Sequence, residues 1–294
     1  MRHTHLAGIL ALCLAAPVAV PAATDAPKND QPVEILADQF EVHQDQNAGV
    51  ARGNVVATQG DLSLHSDTLT VLYRKESGGS PHIYRLLADG NVTLQSPDQK
   101  AFGDHGVYDI DKAVAVLTGD KLRMETKQDV VTARQSLEYW REQNLLVARG
   151  DALAVRNDKR IAADQLIGLL EENPEKQLDL TRIDAKGNVV ITTPSEVARG
   201  SQGIYDVGRK IATLTGDVKV TRGQSQLNGS AAEVNMDTGI SRMLAGPKGQ
   251  GNGRVRGLFV PNDKTVSNKP SDNKPSETKG VVTRKPAGAT EKKQ

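Results

Sequence analysis

The chain has 294 residues, of which 37% are hydrophobic, 25% charged and only 3% aromatic, with 37 basic against 36 acidic side chains. That length allows one large domain or two ordinary ones, and the balanced charge excludes both a strongly basic nucleic-acid binder and a globally disordered polyelectrolyte. Few aromatics beside many Val, Ala and Leu predict a thin core of small side chains rather than a bulky enzyme interior.

Residues 1–22, MRHTHLAGILALCLAAPVAVPA, place a basic start (Arg2, His3, His5) before an apolar run, Leu6 to Ala16, and a small-residue site at Val20-Pro21-Ala22. The run is too short to cross a bilayer, so the layout predicts a secretory signal peptide cut after Ala22 or Ala23 rather than a buried N-terminal helix. Cys13, the single cysteine, follows Leu12 rather than the small residue expected before a lipidated cysteine. The mature chain would then hold no cysteine and depend on packing and backbone hydrogen bonds without disulfides. Residues 23–32 read as a linker. Export without a membrane span predicts a soluble periplasmic product in a Gram-negative host.

The body is organised by glycines. Gly followed by Asn or Asp recurs at Gly53-Asn54, Gly90-Asn91, Gly119-Asp120, Gly150-Asp151, Gly187-Asn188 and Gly216-Asp217, with glycine spacings of 37, 29, 31, 37 and 29. The pattern repeats at 97 residues. A shift of 97 also carries Asp67 to Asp164, Leu69 to Leu166, Arg85 to Arg182, Gly103 to Gly200, Gly106 to Gly203 and Tyr108-Asp109 to Tyr205-Asp206. So many coincidences in one register imply an internal duplication. A copy over 33–130 is followed by a second copy and a partial third over 131–260, with Leu137, Tyr139 and Val147 falling on Val234, Met236 and Leu244.

Each unit predicts a strand pair. Val55 to Leu64 alternates apolar and polar residues across a Gln59-Gly60-Asp61 turn, and Val92-Thr93-Leu94-Gln95 and Val218 to Arg222 behave alike. The Gly-Asn and Gly-Asp pairs supply the positive φ that tight hairpin turns require. Ile161 to Glu172 has helical propensity, but its mate at Leu64 to Lys75 is rich in Thr and Val, so strands are expected in both. Stacked units of this kind form an elongated β body whose unpaired end strands invite end-to-end association.

From Pro261 to Gln294 the composition turns to Lys, Pro, Ser, Asn and Thr, with eight Lys/Arg against four Asp/Glu. Such a segment buries too little apolar surface to offset its ordering entropy and is expected to be disordered. The body between leader and tail then carries 28 basic and 32 acidic groups, so attraction to an anionic partner is not its main asset.

Several stretches carry a resemblance. Gln31-Pro32-Val33-Glu34-Ile35, Ala37-Asp38, Gly53-Asn54-Val55, Leu62-Ser63-Leu64 and Ser66-Asp67, followed by Val107-Tyr108-Asp109-Ile110 and Val116-Leu117-Thr118-Gly119-Asp120, resemble the OstA/LptA family of periplasmic lipopolysaccharide transport proteins. The resemblance runs over about residues 31–125 and continues through the duplicated copy to about 245. It implies an all-β fold, an elongated and twisted OstA-like β-jellyroll holding the acyl chains of lipopolysaccharide (lipid A). It also implies an LptC-like inner-membrane partner at one end and an LptD-like outer-membrane partner at the other. Val33, Ile35, Tyr108 and Ile110 fall on lipid-facing positions of the family pattern. Alternation extends that face to Val55, Ala57, Leu62, Leu64, Leu69, Val71, Val92, Leu94, Val114 and Val116. Each is also an ordinary core residue, and a groove that opens makes the two roles one.

An enzyme is the rival expectation, as an exported β-solenoid that processes carbohydrate; a surface adhesin is another. His65-Ser66-Asp67 cannot form a catalytic relay, because neighbours on a strand point to opposite faces. Asp104-His105 becomes Ser201-Gln202 in the second copy, while the flanking glycines and tyrosine recur. The histidines at 43, 65, 82 and 105 lack metal-ligand spacing, and the glycines open no helix around a phosphate. Neither a metal nor a cofactor is expected.

Overall fold

In a computed structural model the described residues are 33–75, 81–174, 178–245 and 254–260. The expected signal peptide, linker and basic tail lie outside them. All regular structure among the described residues is strand. The order begins with β1 (Glu34–Leu36), β2 (Gln39–His43), β3 (Ala48–Gln59), β4 (Leu62–Arg74), β5 (His82–Gln95) and β6 (Gln99–Asp109). Next come β7 (Val114–Thr118), β8 (Arg123–Thr126), β9 (Asp129–Thr132), β10 (Ser136–Trp140), β11 (Leu145–Arg156) and β12 (Lys159–Glu172). The last are β13 (Leu178–Thr192), β14 (Val197–Asp206), β15 (Ile211–Arg222), β16 (Ser225–Asn235), β17 (Ser241–Leu244) and β18 (Arg256–Leu258). They form one antiparallel sheet within a compact unit that ends at Phe259; of the second unit, Val260–Gln294, only Val260 is described.

The connectivity is a meander. β1 and β2 pair with the two ends of β3, β7 and β8 with the two ends of β6, β9 and β10 with the two ends of β11, and β17 and β18 with the two ends of β16. These pairs act as interrupted strands, so the eighteen segments make fourteen strands, each bonded to its neighbours in chain order. Every uninterrupted strand also has a break in register near its middle, as between Arg52 and Val55 or Lys186 and Val189.

Those breaks correct one expectation. The Gly-Asn and Gly-Asp pairs were expected in hairpin turns, yet five of the six lie inside strands. Gly53 and Asn54 have φ of 78° and 47°, and Gly187 and Asn188 have 75° and 47°. Two successive left-handed residues satisfy a tight hairpin, but they equally make a bulge that bends one continuous strand around a corner. A neighbouring aspartate holds the corner: Asn54 donates to Asp38 at 2.9 Å, Asn91 to Asp67 at 2.8 Å and Asn188 to Asp164 at 3.0 Å. The aligned corners divide the sheet into two limbs whose apolar faces meet. Turns then alternate between two rims, with residues 44–47, 110–113 and 207–210 on the rim of limb I and 60–61, 157–158 and 193–196 on the rim of limb II.

The duplication is visible in the pairing. Leu69, Ala88, Gly106 and Leu117 lie in one cross-strand row of limb I with their mates Leu166, Ala185, Gly203 and Leu214, all 97 residues on. The partial third copy slips. Leu137 and Tyr139 share rows with Ala232 and Val234 instead of Val234 and Met236, because the irregular segments 119–122 and 133–135 are absorbed differently in the second copy. Ile161 to Glu172 is strand throughout, as its mate required.

Candidate functional site

The feature common to both copies is the interior between the limbs. One row of limb II crosses all fourteen strands: Ile35, Ala57, Leu64, Leu94, Ala101, Met124, Val131, Ala154, Ile161, Ile191, Ala198, Val220, Leu227 and Gly257. In limb I, Val71, Leu86, Tyr108, Ala115, Tyr139, Leu146, Gly168, Ile183, Tyr205, Ala212 and Val234 form a second continuous row. Residues from both rows pack into a single core cluster. Near the corner the limbs touch: a β-carbon at Gly106 would lie 3.3 Å from Val92 and 3.2 Å from Leu117. The glycine lets the two faces close.

The expected lipid-facing residues divide into three groups. Val55, Ala57, Leu69, Val71 and Val92 are buried between the limbs, and Ile35, Leu64, Leu94 and Tyr108 lie partly buried on the same inner rows. Val33, 44% exposed, and Leu62, 42% exposed, share the inner face but stand at its rim, while Ile110 lies in the turn after β6. Val114 and Val116 are corrected. On β7 it is Ala115 and Leu117 that face inward, opposite Tyr108 and Gly106, so Val114 and Val116 lie on the other face, where Val114 is buried across from Trp140 and Val116 is half-buried. Both alternating sets of this strand are apolar, so its own pattern could not choose between them.

The inner rows of the second copy escaped the sequence, although the 97-residue register would have found Ile161 and Ile191 as mates of Leu64 and Leu94. Charged residues that point inward at the rim of limb II were also missed. Asp129 and Arg156 form a two-pronged ion pair there, with both contacts at 2.6 Å. Asp129 holds the Arg156 guanidinium above its ordinary pKa despite partial burial. Opposite, burial raises the Tyr205 phenol, with Arg156 opposing that shift and Asp129 adding to it; Tyr205 stays protonated at neutral pH. An apolar interior with polar edges can accept extended hydrocarbon and leave a polar head in water.

The residues that suggested an enzyme are occupied elsewhere. Ser66 faces inward and donates to the Thr68 carbonyl at 3.0 Å, while Asp67 clamps a corner. Asp104 accepts from the Asp120 amide at 2.7 Å, and His105 contacts Asp89 at 2.8 Å on the outer surface. Trp140 lies on the outer face of β10 and donates to Glu138 at 2.9 Å.

The model of the LptA/(LptD N-terminal domain) LPS transport protein family matches residues 34–143 and again 134–240. An uncharacterized protein of Rhizobium meliloti (strain 1021) is 30% identical over 111 residues, covering 36% of this chain and 60% of that protein. The 16S rRNA endonuclease CdiA of Enterobacter cloacae is 26% identical over 212 residues, 64% of this chain but only 6% of that protein. The chain thus spans less than two thirds of either relative. The crystal structure of LptH, the LptA homologous periplasmic component of the lipopolysaccharide transport device from Pseudomonas aeruginosa, aligns with 14% identity and a TM-score of 0.21. That alignment covers 79% of this chain and 98% of LptH.

Proposed function

Because the chain belongs to the family of LptA and LptD N-terminal domain lipopolysaccharide transport proteins, we propose that it shelters lipid A acyl chains between its two limbs in the periplasm. The observation that carries this reading is the inner row of limb II, apolar on every strand from Ile35 to Gly257. Burying hydrocarbon is worth about 0.8 kcal/mol per CH₂, so even a partly inserted acyl chain contributes several kcal/mol. Sugars and phosphates would project past the rims into water.

Residues Ile35, Val55, Ala57, Leu64, Leu69, Val71, Val92, Leu94 and Tyr108 line the proposed acyl path, with Val33, Leu62 and Ile110 at its edges. The end strands support a bridging role. β1 and β2 pair only with β3, and β17 and β18 only with β16, among the described residues. Each end presents backbone donors and acceptors to a partner strand. An LptC-like protein at one end, an LptD-like protein at the other, and head-to-tail copies of this chain between them would complete a path from inner to outer membrane. The duplication lengthens the segment that one molecule supplies.

The test is to mix purified chain, residues 24–294, with lipopolysaccharide and separate the products by gel filtration. Lipopolysaccharide is expected to elute with the protein at the protein's size. Its elution solely as lipid aggregates, with bare protein apart, would overturn the reading.

A further inference from the structure

Near the C-terminal end of the body the two rims meet. Glu196 and Arg222 lie two residues beyond Ala198 and Val220, so both point inward at the rim of limb II. Residues 236–240 form the turn between β16 and β17 on the rim of limb I. That turn crosses to the other side. Arg222 donates to the Gly239 carbonyl at 2.8 Å and to Glu196 Oε2 at 2.9 Å, and Ser241 donates to Glu196 Oε1. A β-carbon at Gly239 would lie 3.4 Å from Ser195. At the base of the turn, Met236 is buried in the core and its amide donates to the Lys210 carbonyl at 2.8 Å.

The pairing is unequal in its exposure. The Glu196 side chain is 2% exposed and that of Arg222 56%. A carboxylate buried this deeply is stable only while its partners stay in place. The corresponding inner-rim positions of the first copy are Gln99 and Thr126, which face each other across β6 and β8 and cannot form an ion pair. The buried carboxylate is thus a feature of the second copy; the same rim of the first copy carries an exposed ion pair instead, Lys127 with Asp98 at 2.7 Å.

We propose that Glu196, Arg222 and the 236–240 turn form a clasp that closes the mouth of the interior over β14–β17. An acyl-bearing amphiphile seated between the limbs, as the proposed function requires, is stopped there until the clasp opens. The choice of charges suits a device that must open. When the turn withdraws, the buried Glu196 regains water, which offsets much of the interaction lost, whereas an apolar seal would expose hydrocarbon instead.

The test uses the full mature chain. Nitroxide labels at Ser195→Cys and Thr238→Cys report the distance between the rims, by pulsed electron resonance, without any lipid. The starting chain is expected to give one short, narrow distance. Glu196→Gln/Arg222→Met is expected to lengthen and broaden it, while Arg222→Lys keeps it short; circular dichroism checks that every variant retains its strands. An unchanged distance in the double variant would overturn the clasp, as would a long distance in the starting chain.

The second readout is photocrosslinking of lipopolysaccharide from probes at Leu94, in the first copy, and Leu227, beneath the clasp. Opening the clasp is expected to raise labelling at Leu227 several-fold and leave Leu94 unchanged. Wider rims without that rise would overturn the stopping role. Loss of labelling at Leu94 in every variant would instead count against the proposed function, while the rim distance still decides the clasp.

Discussion

At the scale of single residues, the corners carry the most specific demands. Gly187 has a φ of 75°, and a β-carbon there would fall on the Asp164 carboxylate. Gly187→Ala is expected to lower stability by about 1–2 kcal/mol from backbone conformation alone, with a further steric loss, read from the urea midpoint. Removing the carboxylate as well, in Asp164→Ala/Gly187→Ala, should relieve the steric part but forfeit the Asn188–Asp164 hydrogen bonds that hold the corner. Glu138 makes a second prediction. Burial raises its pKa, but bonds from Arg149, Ser136 and Trp140 outweigh that and hold it below the ordinary carboxylate range. Its contribution is present above the unfolded-state value and disappears as pH falls through the lower folded value. Glu138→Gln should therefore flatten the acid side of a stability profile and leave its dependence above neutrality unchanged. The aspartate clamps show the limit of the sequence here. The recurrence of Asp67 as Asp164 was visible in the register, but its purpose required knowing that Gly-Asn bends a strand instead of reversing it.

At the scale of the strand, inner and outer positions separate by their neighbours. Leu69 and Leu214 are fully buried between the limbs, whereas Val107 is 39% exposed on the outer face. Truncating either leucine to alanine is expected to cost about 2–5 kcal/mol, and Val107→Ala to stay within about 0.5 kcal/mol; chemical denaturation of the three variants checks the ranking. Alternation made Leu64, Leu69 and Leu94 legible because each stands between polar residues. It failed on β7, where Val114 to Leu117 is apolar on both sides and only the partner strand fixes which side faces in. Helical propensity in Ile161 to Glu172 gave way to the sheet, because Leu166 and Ile161 complete inner rows that the strands on both sides already form.

At the scale of the whole molecule, a continuous apolar interior is built by repeating a unit that cannot bury its own face. Nearest the corners the limbs approach closely and alanine and glycine recur, as at Ala88, Gly106, Ala185 and Gly203, while the inner tyrosines Tyr108, Tyr139 and Tyr205 stand one row farther out. The duplication and strand architecture were legible because 97 residues return six strands to the same place. The clasp was not, because it joins Glu196, Arg222 and Gly239 only after the limbs fold together. The central claim is that lipopolysaccharide lies between the limbs, and paired photocrosslinking tests it most directly. Probes at Leu64 and Tyr108 face inward; probes at their neighbours Ser63 and Val107 face outward on the same strands. The account predicts strong lipopolysaccharide labelling from the first pair and little from the second, including the exposed and apolar Val107. Equal labelling from both faces would contradict it.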